Sequence, residues 1–362
     1  MTIKQMIWKV AVVAAFVLAP CVYGAPNFSG VLDSKFTGII LDAPSLDEAF
    51  NFGIEEYLNL RMQAKVGDWA QIFGAFNFTA FAGKDADIAA QSGAGAFFAG
   101  ENFASAIELE RLYLHLSNDT MGLDTGLLRQ GFGYGSVWVP TDFLNPRNPL
   151  NTDARPRAIL SAVFSYFPSD TAKLLAFAAA PKKPMDNERG EGGRFGLSAE
   201  KHWKNISVQG LYVYETPYKD VPQTLVSGES GVHRAGLSVK ADIEAGIYAD
   251  ILYTAYPKKI DGWEDGFAAT LGADYSFAPR EPNAYFQALI IAAEYLYSGK
   301  TSQTALGTGG IYSKHHYNSA SVIYKATNYT SVTLTGIWCW EDGSLIPVAV
   351  FEQTLFQGLT LT

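Results

Sequence analysis

Residues able to do covalent chemistry are few and scattered. The five histidines are His115, His202, His233, His315 and His316. None lies in a G-x-S-x-G or H-E-x-x-H frame, so neither a nucleophile elbow nor a zinc-protease helix is encoded. His315 and His316 stand beside Tyr317, but adjacent strand residues point to opposite faces, which argues against a shared metal site. Residues 298–310 (SGKTSQTALGTGG) include Gly299-Lys300-Thr301. The upstream glycines and the following helix of a phosphate loop are missing there. Asp242, Glu244, Asp250 and Asp274 offer carboxylates for acid–base work, yet they are spread along neighbouring segments and read more simply as a wetted wall. No nucleophile, base and orienter can be named together. The expectation is a protein without catalytic residues, metal or cofactor. Net charge is −9 with no basic tract, which argues against nucleic acid as a partner.

The elements that hold these residues begin with a leader. Lys4 and Lys9 form a positive start, Val10 to Pro20 is apolar, and Val22-Tyr23-Gly24 suits cleavage before Ala25. That is a secretory signal over 1–24, too short and wrongly flanked for a spanning helix. A rival reading takes Leu18-Ala19-Pro20-Cys21 as a loose lipobox with Cys21 lipidated. If Cys21 leaves with the leader, Cys339 remains alone, and neither a disulfide framework nor a cysteine metal cluster can form.

Composition narrows the class further. The 362 residues are 48% hydrophobic and only 17% charged, with 34 Gly, 19 Tyr and 23 Phe. Disorder is excluded, since it needs low hydrophobicity and high charge. Instead, period-two alternation runs along the chain. Ile54, Leu58, Leu60, Met62, Ala64 and Val66 oppose Glu55, Tyr57, Asn59, Arg61, Gln63 and Lys65. Ala235, Leu237, Val239, Ala241 and Ile243 oppose Arg234, Gly236, Ser238, Lys240 and Asp242. Residues 267–277 repeat the pattern, as do 331–341, where Ile337 and Cys339 break the polar face. A strand separates such sets and a helix mixes them.

This spacing predicts sixteen strands, near 28–41, 53–66, 69–82, 104–117, 122–133, 157–167, 171–181, 193–201, 206–216, 233–243, 246–256, 266–278, 284–298, 314–325, 329–341 and 344–355. In 104–117 the alternation changes phase, and a β-bulge near Glu110 would reconcile its two halves. At about ten residues or longer, these strands suit a tilted bilayer crossing better than a soluble sheet. Short turns such as Gly67-Asp68, Asn118-Asp119 and Glu244-Ala245 alternate with longer stretches at 42–52, 83–103, 134–156, 182–192, 217–232, 257–265 and 299–313. The last expected long loop is only the tight turn Asp342-Gly343. Trp69, Trp203, Trp338, Trp340 and several tyrosines fall at strand ends, where interfacial girdles would place them. Removing 24 of the 362 residues leaves 338, enough for about sixteen crossings with their connections. The fold class expected is all-β: a transmembrane antiparallel up-and-down β-barrel of about 16 strands (14–18), a single domain over 25–362. Gln357-Gly358 reads as a turn and Leu359 to Thr362 as the stub of a further strand, which leaves barrel closure open.

One stretch does not read as barrel wall. Residues 127–157 (LLRQGFGYGSVWVPTDFLNPRNPLNTDARPR) lose the alternation and contain four Xaa-Pro steps, which argue against a central strand. Arg129-Gln130, Gly135, Pro140, Asp142, Asn145 and Pro146 form a pattern that resembles a segment of bacterial, spirochaetal-type outer-membrane porin-like β-barrels. There an Arg-Gln on a strand is followed by a Trp/Gly-rich bend and a Pro-x-Asp-x-x-Asn-Pro loop. The resemblance implies that the third long loop, 134–156, folds inward and narrows a pore; the other reading is an ordered surface loop pinned by prolines. Asp142, Arg147, Asp153 and Arg155 would then face charged wall residues such as Glu55, Arg61, Arg129 and Arg234, with Lys240 and Asp242 also on the inner wall. Opposed charges across a pore select solutes by charge and dipole.

The first functional expectation is therefore an outer-membrane channel for small hydrophilic solutes. Its partners would be outer-membrane lipid and the barrel-assembly machinery, with a homo-oligomer left open. The alternatives are a barrel acting as adhesin, receptor or surface antigen through its external loops, and a soluble exported β-sandwich.

Overall fold

The computed structural model describes residues 26–40, 50–83, 96–99, 103–145, 158–181, 192–217, 231–255, 266–279, 286–299, 314–356 and 359–361. The expected leader, Cys21 and most of the expected longer loops lie outside them. The strands are β1 (Asn27–Ile40), β2 (Phe50–Lys65), β3 (Ala70–Gly83), β4 (Ala96–Ala99), β5 (Phe103–Ser117), β6 (Met121–Leu128), β7 (Ile159–Ser169), β8 (Ala172–Ala179) and β9 (Arg194–Trp203). They continue as β10 (Ile206–Glu215), β11 (Val232–Asp242), β12 (Gly246–Ala255), β13 (Gly266–Phe277), β14 (Ala288–Ser298), β15 (His316–Lys325), β16 (Thr330–Cys339), β17 (Leu345–Phe356) and β18 (Leu359–Leu361). All sixteen expected strands form. The two additions among the described residues are short: β4 has 4 residues and β18 has 3.

The chain forms two compact units. The first comprises Met1–Leu128 with Leu160–Ala162; the second comprises Arg129–Ile159 with Val163–Thr362. Within the first, β1, β2, β3, β5 and β6 pair in that order, each antiparallel to the next. In the second, β8 to β18 pair antiparallel in chain order. Such next-neighbour pairing is what short hairpin connections dictate.

The bulge falls where the phase change placed it. Ala75 opposes Arg111 and Phe76 opposes Leu109, which leaves Glu110 as the extra residue of β5. β4 corrects the reading of 83–103 as loop throughout, since Ala96 to Ala99 pair with the first residues of the 15-residue β5. β6 ends at Leu128 rather than 133, because the amides that follow bond to side chains and not to a neighbouring strand. The stub at the C-terminus is β18, paired to β17 with Gln353 opposite Leu361. β13 ends at Phe277 and β14 begins at Ala288, with Gln287 N–H already bonded to the Lys325 carbonyl of β15 at 2.8 Å.

Polarity across the strands is the reverse of that in a water-soluble sheet. On β13, Phe267, Leu271 and Tyr275 are exposed while Thr270 and Ala268 are buried. On β11, Leu237 is exposed while Arg234 and Ser238 are buried. Leu160, Phe195, Leu197, Tyr212, Ile247, Ile251, Ile291 and Leu334 extend the exposed apolar face. Buried polar groups on the other face include Asn59, Gln209, Asp250, Thr254 and Glu294. So large an apolar surface left bare in water would be an aggregation hazard. Against acyl chains it is the matched surface, and the antiparallel ladders satisfy the backbone that lipid cannot.

Candidate functional site: a segment folded over the polar face

After β6 the chain runs as an irregular segment from Arg129 to Asn145, at which point the described residues stop. This segment belongs to the second unit and lies against the polar face of its strands. Its backbone shows why it does not continue as wall. Six consecutive amides, from Gly133 to Trp138, donate to side chains of three strands. Gly133 N–H donates to Gln209 Oε1 on β10 at 2.8 Å. Tyr134 and Gly135 N–H donate to Asp250 on β12, at 3.1 and 2.6 Å. Ser136, Val137 and Trp138 N–H donate to Glu294 on β14, at 3.1, 3.0 and 2.7 Å.

A run of successive backbone N–H groups makes a concavity for an anion. Here the anions are two carboxylates of the wall. Asp250 and Glu294 are 0% and 4% exposed. A carboxylate removed from water is costly unless strong donors replace the solvent. The amides supply those donors, helped by Tyr248 Oη on Glu294 Oε2 at 2.9 Å and by Thr141 Oγ1 on Asp250 Oδ1 at 3.5 Å. Wall and segment therefore each satisfy polar groups that the other would leave buried and unpaired.

The glycines of the Gly-Tyr-Gly run have a steric cause. Gly133 has φ +84°, and a Cβ there would run into Thr141 Oγ1 and Val139; a Cβ on Gly135 would collide with the Trp138 carbonyl oxygen. Between them Tyr134 Oη donates to Glu200 Oε1 on β9 at 2.7 Å. Burial and the adjacent Glu200 carboxylate raise the Tyr134 phenol above its ordinary pKa, so it remains a donor through the physiological range.

Apolar contacts complete the seat. Trp138 is buried among Leu296, Tyr317, Ile337 and Cys339, drawn from β14, β15 and β16. Ile337 and Cys339 are the residues that break the polar alternation of β16; they form part of the Trp138 socket. Phe132 packs on Phe177 with centroids 5.4 Å apart. Phe143 lies under the Arg234 guanidinium at 5.0 Å, and Arg234 Nη1 donates to Glu215 Oε2 at 2.6 Å. Asn145 Oδ1 accepts from Gln130 N–H at 2.8 Å, tying the two ends of the described segment together.

The residues singled out from the sequence are distributed unevenly around this site. Asp142 is buried within the segment, in a turn closed by its own N–H to the Val139 carbonyl at 2.9 Å. Arg234 lies beneath the segment, and Arg129 begins it. Arg147, Asp153 and Arg155 lie outside the described residues. Lys240 and Asp242 pair with each other at 3.1 Å on the same strand as Arg234. Lys240 lies six positions along the strand from Arg234, about 20 Å at strand rise. Glu55 and Arg61 are on β2 of the first unit, where Arg61 Nε donates to Asn59 Oδ1 at 2.6 Å. That unit carries its own buried network. Asn59 Nδ2 donates to Asn77 Oδ1 at 2.6 Å and to Glu110 Oε2 at 2.5 Å. Tyr57 Oη donates to Asn77 Oδ1 at 2.6 Å, and Arg111 Nε lies 3.6 Å from Glu110 Oε1.

Two of the residues that hold the segment, Glu294 and Gln209, do not stand out in the sequence; both look like ordinary polar-face residues. The histidines are engaged elsewhere. His115 meets Asp124 at 2.6 Å, His202 meets Ser207 at 2.7 Å and His233 meets Tyr212 at 2.7 Å. His315 precedes β15, so strand alternation does not govern it, and both it and His316 pack on the Tyr297 ring.

No protein-family model matches this chain. No curated protein matches it by sequence. Solved structures do match by shape. Salmonella typhi OmpF, solved in complex with daunomycin, aligns over 90% of this chain and 96% of its own at a TM-score of 0.56 and 10% identity. Pseudomonas putida OprB at high pH aligns over 90% and 93% at a TM-score of 0.52 and 12% identity. The likeness shows the fold: an antiparallel up-and-down β-barrel of the porin type.

Proposed function

We propose that this protein is an outer-membrane channel through which small hydrophilic solutes diffuse. One observation carries the reading: residues 129–145 form a segment bound to the polar face of the strands, not a loop in solvent. In a barrel of this fold the polar face lines the aqueous path, so a segment fixed there narrows it. Asp142, Arg129 and Arg234 belong to that narrowing, and Arg147, Asp153 and Arg155 continue it in sequence. Glu55, Arg61, Lys240 and Asp242 are the charged residues proposed to line the path elsewhere. The Pro-x-Asp-x-x-Asn-Pro pattern supports a likeness to spirochaetal-type barrels. Residues 1–24 would direct export, and lipid, the assembly machinery and further copies of the chain would be its partners.

The test is conductance of the purified, folded protein in planar bilayers. Stepwise channel openings with measurable ion selectivity are expected. A protein that inserts as a folded barrel and never conducts would overturn the reading and leave an external role for its loops.

A further inference from the structure

The outward side of the second unit carries a feature that solute passage does not use. At the β9–β10 hairpin a cleft of about 690 Å3 opens beside Thr171, Lys201, Trp203, Lys204, Ile206 and Ile243. Trp203, Ile206 and Ile243 are 55%, 45% and 68% exposed, so its floor is bare hydrocarbon and indole. Two cations border that floor and no carboxylate lines it, in a chain of net charge −9. Lys201 Nζ donates to Thr171 Oγ1 at 2.7 Å, which fixes one ammonium at the cleft edge.

Lys204 holds the other. Trp203 pairs with Ile206, so Lys204 and Asn205 form a two-residue hairpin turn. Lys204 has φ +49° and is the one non-glycine residue with positive φ among those described. Glycine is the usual occupant of the first position when a two-residue turn needs that conformation. A lysine there is in a sparsely populated region, and no ion pair among the described residues accounts for it.

We propose that this cleft binds an anionic glycerophospholipid in the leaflet at the short-turn end of the strands, with its phosphate between Lys201 and Lys204. An acyl chain then runs along Trp203, Ile206 and Ile243 onto the exposed apolar face. Indole and lysine stems suit this depth, since each joins an apolar body to a polar tip. A free phosphate ion would use the ammonium groups and leave the apolar floor uncovered, so the lipid is the occupant that fits both halves. The proposal rests on the membrane reading of the strands but not on conductance.

The experiment uses the full chain in phosphatidylcholine nanodiscs doped with brominated-chain phosphatidylglycerol or, at equal mole fraction, brominated-chain phosphatidylcholine. Bromine quenches nearby indoles, and Trp203→Phe isolates the contribution of Trp203. Quenching of that component is expected to be several-fold stronger with phosphatidylglycerol, and to become equal for the two lipids in the Lys201→Gln, Lys204→Gln double variant. Lys204→Gly, which relieves the turn and so is not expected to impair folding, should lose part of the preference. Equal quenching in the unaltered protein, or a preference that survives the double variant, would overturn the proposal. So would loss of the preference on adding excess inorganic phosphate at matched ionic strength. Conductance recorded on the same preparation separates this outcome from failure of the channel reading.

Discussion

The two units bury carboxylates on their polar faces by different means. In the first, Glu110 is held by wall side chains: Asn59 at 2.5 Å and Arg111 at 3.6 Å. In the second, Asp250 and Glu294 are held largely by the backbone of a segment that is not wall. The contrast separates two uses of a buried charge. Glu110 belongs to a network of side chains that cross-links neighbouring strands. Glu294 is satisfied because Ser136, Val137 and Trp138 are present, so its burial and the position of the segment are one equilibrium. A wall carboxylate whose donors are main-chain amides is thus a marker of a docked loop, and one whose donors are side chains is a marker of a cross-linked wall.

The sharpest way to break the comparison is Trp138→Ala. Emptying a socket made by Leu296, Tyr317, Ile337 and Cys339 should weaken docking of the segment by about 3–5 kcal/mol. Cys339 is buried in that socket, so its thiol should become reactive towards maleimide, and single-channel conductance should rise. Glu294→Ala comes next, with a cost of about 3 kcal/mol from three amides left without their acceptor. The same thiol exposure is expected from this change. Asn59→Ala is the control in the other unit. It should lower stability by about 1–2 kcal/mol through lost bonds to Asn77 and Glu110, while Cys339 stays protected. Exposure of Cys339 in Asn59→Ala, or its protection in Glu294→Ala, would erase the distinction between the two units.

Smaller effects follow from pH. The Tyr134 phenol is raised, so the neutral form is favoured when folded. Its contribution is fully present below about pH 10, the ordinary tyrosine value, and is lost only as pH rises through the raised one. Phenolate absorbance of the protein minus that of Tyr134→Phe should show no transition where free tyrosine ionises. Asp342 is the reverse case. Its carboxylate accepts from the Ser344 hydroxyl and, at 2.9 Å, from Ser344 N–H in the β16–β17 turn, and these bonds, the hydroxyl's first, lower its pKa to about 2. That turn is favoured above about pH 4, the ordinary carboxylate value, and loosens as pH falls through about 2. Amide exchange at Ser344 should accelerate over that interval and be fast at all pH in Asp342→Ala, with the segment unaffected.

The sequence by itself determined the strands, because alternation is a local property that survives in any sheet with one face in lipid. It placed sixteen strands, the bulge at Glu110 and the loss of alternation within 127–157, but it carried the fifth strand to 133 where β6 ends at Leu128. Pro140, the glycines of Gly-Tyr-Gly and the missing period were enough to show that residues 134–145 are not a strand. What they bind was decided by the tertiary structure alone. Trp138 and Glu294 are separated by 156 residues, and nothing local marks Glu294 among other polar-face residues. A partial signal did exist in Ile337 and Cys339. Apolar residues on an otherwise polar face have no reason to meet water, and they announce that something covers them. The identity of the cover required the fold, because buried amides and a buried carboxylate satisfy one another only once distant strands have brought them within hydrogen-bond reach.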